Sequence, residues 1–213
     1  FETVQEEIAY KSPENVTRYY FHEVYISGHG PVIDEKYGEY LALKWTGLTP
    51  SDDVTSFLKA MMAESLEDFY EAFRSYHSPP QNFCCAESGP DGRVGQIIVG
   101  DIPIRSGYDG THPADGTDSS LRWTGFIPYD DLPHRIDPME GFVAHANNLP
   151  LGVLNGDERP FGGSLGSNQR VNRIIELLAE RRPLDPGDMR AMQMDDLDST
   201  ARFLVPALMQ AWG

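Results

Sequence analysis

Apolar residues in the first third of the chain follow a β-rich pattern. Val16, Thr17, Tyr19, Tyr20, Phe21, Val24, Tyr25 and Ile26 crowd one run, and such side chains favour a pleated surface. Gly28-His29-Gly30-Pro31 breaks that run and Val32-Ile33 resumes it. Residues 1–34 are therefore predicted as strands, with a further short strand over Tyr40 to Trp45. Asn82 to Glu87 and Val94 to Val99 flank Gly89-Pro90-Asp91-Gly92, which predicts a hairpin. Helical signals lie between these strands. Pro50-Ser51-Asp52-Asp53 predicts a helix start with Ser51 as cap. Ser65-Leu66-Glu67-Asp68 resembles a capping box with Asp in place of Glu. The stripe Leu66, Phe69, Tyr70 and Phe73 that follows has helical spacing and predicts core packing.

Residues 100–140 are punctuated by Pro103, Gly107, Gly110, Pro113, Gly116, Pro128, Pro133 and Pro138, and read as a long loop region. Gly141 to Ala146 predicts one more strand, ending in Asn147-Asn148-Leu149-Pro150. The last third is helical. Val171, Ile174, Ile175 and Leu178 fit one amphipathic face that Pro183 ends. Asp185-Pro186 opens a short helix, and Ala201, Leu204, Val205 and Leu208 repeat the template. Strands first and helices last indicate an α+β fold rather than a doubly wound parallel sheet. The whole chain, 1–213, is expected to form a single partial domain, strand-rich over 1–150 and helical over 167–211.

Seventeen Lys and Arg against 33 Asp and Glu give a net charge of −16 over 213 residues. That balance excludes binding to a phosphate backbone, which needs cations to displace counterions. It also excludes docking on an anionic leaflet. No stretch approaches the ~20 apolar residues of a membrane span. Cys84 and Cys85 are neighbours, so they read as two thiols facing opposite sides of a strand, not as a disulfide or metal pair. Phe1-Glu2-Thr3-Val4 has no leader character, and the chain is expected to be a segment of a longer polypeptide.

Few residues stand out for chemistry. Gly28-His29-Gly30 reads as a strand-end turn, and His112 and His145 as surface or satisfied buried residues rather than bases. Asp115, Asp118, Asp130 and Asp131 make an acidic stretch without EF-hand spacing, read as a solvated loop with a calcium-binding module as the alternative. Asn147-Asn148 is more telling. An amide on a rigid strand end can donate to a developing oxyanion. Arg170 falls in the first turn of a predicted helix, where a cation opposes the helix dipole, so helix stability does not explain its place.

Taken in order, several segments carry a resemblance. They are His29-Gly30-Pro31-Val32-Ile33, Leu41-Ala42-Leu43-Lys44-Trp45-Thr46, Gln81-Asn82-Phe83 and Gly100-Asp101-Ile102-Pro103-Ile104-Arg105. Trp123-Thr124-Gly125-Phe126-Ile127-Pro128, Ala146-Asn147-Asn148-Leu149-Pro150, Arg170-Val171-Asn172-Arg173-Ile174 and Met192-Gln193-Met194-Asp195 follow. The series resembles the penicillin acylase family of N-terminal-nucleophile amidohydrolases across essentially the whole chain.

The resemblance implies an αββα sandwich, of which this chain would be an internal part of the β subunit. It implies autocatalytic processing and a nucleophilic N-terminal Ser that these 213 residues lack, so the isolated chain is expected to be inactive and poorly soluble. It implies that Asn147 forms the oxyanion hole, that Arg170 places it, and that Trp45 and Gln81 line the acyl pocket; Trp45 also reads as a sheet-core tryptophan. No cofactor is implied for the chemistry. A structural calcium is, with Asp157 or Glu158 and the Gly110 carbonyl as ligands. Expected partners are a small-molecule amide, the α subunit and the rest of the β subunit, in the periplasm or outside the cell. β-Lactam antibiotics, acyl-homoserine lactones and lipopeptides all stay open as substrates, and a noncatalytic binding or scaffold relative is the rival reading. Glu87, where the family commonly has Asp, and the paired cysteines depart from the family pattern without touching the proposed chemistry.

Overall fold

The computed structural model describes residues 1–36, 38–90, 92–148, 168–180 and 183–212. The β-rich start forms β1 (Glu2–Lys11), β2 (Thr17–Ser27), β3 (Gly30–Lys36) and β4 (Glu39–Ala42), hydrogen-bonded in that order as an antiparallel sheet. β1 and β2 pair without a bulge from Glu2 opposite Ile26 to Lys11 opposite Thr17. Gly30 marks a close approach. Its φ is +126°, and a Cβ there would collide with the Leu43 carbonyl oxygen, which is backbone and cannot turn aside.

Two helices follow, α1 (Asp53–Ala60) and α2 (Leu66–Ala72). The Ser65 cap is present, its hydroxyl accepting from the Asp68 N–H at 3.0 Å. Ser51 is not a cap. It donates to the Asp53 carboxylate at 2.6 Å, and Asp52 holds the N-cap position without a side-chain cap bond. β5 (Gln81–Glu87), β6 (Arg93–Val99) and β9 (His134–Ile136) form a second sheet with β6 in the middle. Being central, β6 is buried on both faces, and its alternation sorts its side chains. Ile97 and Val99 pack with Phe73 and Tyr76 on the α2 side, while Ile98 joins Ile102, Ile127 and Leu132 on the other. The long segment read as loop contains β7 (Pro103–Arg105), β8 (Trp123–Phe126) and β9, short strands that its prolines and glycines concealed. Cys84 and Cys85 are free thiols on β5.

Two further expectations are corrected. The strand at Tyr40 to Trp45 ends at Ala42 and gives way to a 3-10 turn over Thr46–Leu48. Gly141 to Ala146 is not a strand. The backbone groups a ladder would use are taken by side chains: the Ala146 N–H donates to Asn148 Oδ1 and the Ala146 carbonyl accepts from Arg170, both at 2.9 Å. The apolar stripe of the last helix is uncovered. α3 (Gln169–Glu180), α4 (Pro186–Gln193) and α5 (Ser199–Trp212) form where the periodicity placed them. α3 buries Val171 and Leu178 against Ala144 and Ala146, but on α5 Leu204 and Leu208 are 44% and 63% exposed. Among the described residues no helix is long and apolar enough to cross a membrane.

Candidate active site

The Ala144–Asn148 run and the start of α3 meet. Ala144 and Ala146 are buried against Val171 and Leu178, which fixes the run along the helix from its first turn to its third. Arg170 then reaches back. One nitrogen, Nη2, donates to the Ala146 carbonyl and to Asn147 Oδ1, each at 2.9 Å. This accounts for a cation at a helix start: its charge is spent on two oxygens of the preceding segment. It also settles the amide's orientation. A guanidinium has donors only, so the Asn147 atom facing it is the oxygen, and Nδ2 is left as a donor directed elsewhere.

Asn147 is exposed with φ +58°, a left-handed conformation that Asn tolerates better than most residues. Its neighbour Asn148 does different work. It is 5% exposed and its Oδ1 closes the turn on the Ala146 N–H. The tandem pair thus divides into a buried turn-holder and an outward amide, a division invisible in the dipeptide itself.

A hollow of about 520 Å³ lies beside this clamp, lined by Ala146, Arg170, Arg173, Met192, Asp195 and Asp198 among others. Arg173 donates to both oxygens of Asp195, at 3.0 and 2.8 Å, and to Glu176 at 2.7 Å. That pairing joins α3 to the segment after α4 and sets the Arg173 and Asp195 charges against each other.

The structure gathers Asn147 and Arg170 but gives Trp45 and Gln81 no contact with them. Trp45 is half exposed and heads the 3-10 turn, which removes the sheet-core alternative. Its neighbour Lys44 puts Nζ 5.3 Å from the Trp123 ring. Gln81 opens β5 opposite Val99, with its amide on the Pro79 carbonyl at 3.4 Å. Thr46 and Ser78, one residue beyond Trp45 and three before Gln81, share a hydroxyl hydrogen bond of 3.1 Å. The two candidate pocket residues therefore stand on tied segments, a link only the fold reveals.

The Trp45 indole lies over Gly47. A Cβ at Gly47 would come within 2.5–2.7 Å of ring atoms Cζ2, Cε2 and Cη2. These are the far end of a side chain, so the ring would yield rather than the backbone. Gly47→Ala is expected to swing the indole away, moving its emission to longer wavelength in a background with Trp123 and Trp212 replaced by Phe, at a stability cost within about 1 kcal/mol. Unchanged emission would show that the ring does not rest on this glycine.

Of the calcium ligands the resemblance implies, Asp157 and Glu158 lie outside the described residues. Gly110 is described, with φ +81° in a turn where Asp109 Oδ1 accepts from the Thr111 N–H and hydroxyl. Among the described residues no three His, Cys, Asp or Glu side chains converge as a metal site.

Comparison with known proteins bears on family and fold. The penicillin amidase family model matches residues 1–212. Penicillin acylase 2 proenzyme of Pseudomonas sp. (strain SE83) is 27% identical over 174 residues, 79% of this chain and 22% of the relative. Acyl-homoserine lactone acylase QuiP of Pseudomonas syringae pv. syringae is 26% identical over 186 residues, 85% of this chain and 22% of the relative. The chain thus spans about a fifth of the length of these curated relatives. A thermostable penicillin G acylase from Alcaligenes faecalis superposes with a TM-score of 0.76 at 17% identity, covering 98% of this chain and 37% of that one. The fold is that of the penicillin acylase N-terminal-nucleophile hydrolases. The chain belongs to the penicillin amidase family.

Proposed function

We propose that these residues are part of the nucleophile-bearing subunit of an acylase that hydrolyses a linear amide to a carboxylic acid and an amine. The observation that carries this reading is the clamp. Arg170 occupies Asn147 Oδ1 and so commits Nδ2 to donating, which is what a tetrahedral oxyanion requires of an amide. The hydroxyl nucleophile is an N-terminal Ser supplied by chain outside these 213 residues and exposed by autocatalytic processing. Its own α-amine, with an ordinary pKa of about 7.7–8.0, takes the hydroxyl proton as the carbonyl carbon is attacked. Negative charge grows on the carbonyl oxygen, and Asn147 Nδ2 meets it with a dipole already in place. Collapse expels the amine and leaves an acyl-enzyme, which water hydrolyses by the same route reversed.

Trp45 and Gln81 are proposed to contact the acyl group. The chemistry needs no metal or cofactor. Calcium, where the complete enzyme holds it, is proposed as structural, and no step runs through it. The names of the relatives support a penicillin or an acyl-homoserine lactone as substrate, a lipopeptide being the alternative. The α subunit and the remaining β-subunit chain are the proposed partners, in the periplasm or outside the cell.

The test is the full-length, processed protein incubated with penicillin G, N-hexanoyl-homoserine lactone and phenylacetyl-4-nitroanilide, with products separated by mass. Release of the free acid together with the free amine is expected from at least one of them. Intact amides in all three, from protein whose new N-terminus is a Ser, would favour the noncatalytic scaffold reading.

A further inference from the structure

His145 sits between the two alanines that pack on α3, two residues before Asn147. Its Nδ1 is buried and has no hydrogen-bond partner among the described residues. The charged group that acts on it from the packed helix is Arg170, the same guanidinium that holds Ala146 and Asn147. Arg173 and Asp195, which also line the adjoining hollow, are paired with each other. Asp198, on the same wall, is bonded to the Thr200 and Ala201 N–H groups. No carboxylate is bonded to the imidazole among the described residues. An imidazole in this setting is tolerable while neutral, because the unpartnered Nδ1 is then a bare lone pair. As a cation it would bury an unpartnered N–H beside a fixed positive charge, which is far costlier.

We propose that His145 is a positioning residue whose neutral form keeps the Arg170–Asn147 clamp closed, and whose protonation opens it. The catalytic consequence rests on the acylase reading; the structural one rests on this geometry. Burial first, and the Arg170 charge second, hold the imidazole below its ordinary range. The sign follows. Well above about 6.5 the residue is neutral folded or unfolded and contributes nothing to pH dependence. As pH falls through that value the unfolded chain takes the proton first, and the folded state loses stability until its own lower pKa is passed.

The experiment compares full-length wild type with His145→Gln, following kcat and KM on phenylacetyl-4-nitroanilide and the thermal midpoint from pH 8 to pH 4.5. The α-amine of the nucleophile also titrates on the acid side, so the expected difference is one of steepness. Wild-type kcat should approach a hundredfold loss per pH unit, two protons, against about tenfold, one proton, for His145→Gln, with KM following the same course in both. The wild-type midpoint should also fall more steeply with acid. Should His145→Gln not fold, His145→Asn makes the same comparison. Equal steepness in kcat, with parallel midpoint curves, would overturn the proposal. If neither protein turns over this anilide, penicillin G or N-hexanoyl-homoserine lactone at any pH, the acylase reading fails, and the midpoint curves alone decide the clamp: parallel curves overturn it, and a steeper wild-type fall upholds it.

Discussion

Asn147→Ala in the full-length protein is expected to lower kcat about 10²–10³-fold, about 3–4 kcal/mol of barrier, with KM within about threefold of wild type. The amide is held by Arg170 before any substrate arrives, so it needs no reorganisation as charge develops. A donor that meets charge present only in the transition state affects kcat and spares ground-state binding. Alanine brings a second effect that must be separated. With φ at +58°, a Cβ without an amide is strained by about 1–2 kcal/mol. Asn147→Gly removes the amide and relieves that strain, so it should lose the same 10²–10³-fold. Turnover restored by Gly would assign the loss to backbone distortion, and kcat within threefold of wild type for both variants would remove the oxyanion role.

How far the sequence discloses this arrangement depends on how local each determinant is. The Ser65 cap and the helix start at Asp185-Pro186 were readable because each is local, with cap and partner three residues apart at Asp68 and Asp188. The β5–β6 hairpin was readable because its turn carries its own glycines. Ser51 misled because its hydroxyl donates to the Asp53 carboxylate instead of accepting from a first-turn N–H. Gly141 to Ala146 misled for a long-range reason. Its apolar residues suit a strand, but Asn148 and Arg170 take the Ala146 N–H and carbonyl where a neighbouring strand was expected. The clamp itself joins residues 23 positions apart. Residue types and the family resemblance nominated Asn147 and Arg170; only the fold shows that one nitrogen serves both the carbonyl and the amide. His145 was read as a surface or satisfied residue, which its partnerless Nδ1 corrects, and Gly47 was not singled out, since an orphaned ring atom and a ring resting on a glycine are facts of packing.

Phe73→Ala is expected to cost about 3–5 kcal/mol of local stability in the second sheet and its helices. Phe73 is 1% exposed at the end of the stripe that begins at Leu66. Its ring stacks on Phe83 of β5 at 4.8 Å between centroids and meets Phe57, Phe69 and Tyr76 edge-on at 5.3, 5.2 and 5.7 Å. One side chain thus fastens α1, α2 and β5 together, and each aromatic contact adds about 0.5–1.5 kcal/mol beyond area burial. The neighbours are themselves rigid rings, so they cannot collapse into the space, and the cavity term is retained in full. Hydrogen exchange of the β6 amides reads the effect locally. Exchange at Ile97 and Val99 should quicken about 10²–10⁴-fold, at 1.4 kcal/mol per tenfold, while α3 and the clamp, built on a separate apolar cluster, keep their protection. Acceleration below tenfold at β6 would mean that the ring cluster is not what holds this layer, and equal acceleration in α3 would mean that the two clusters open as one unit.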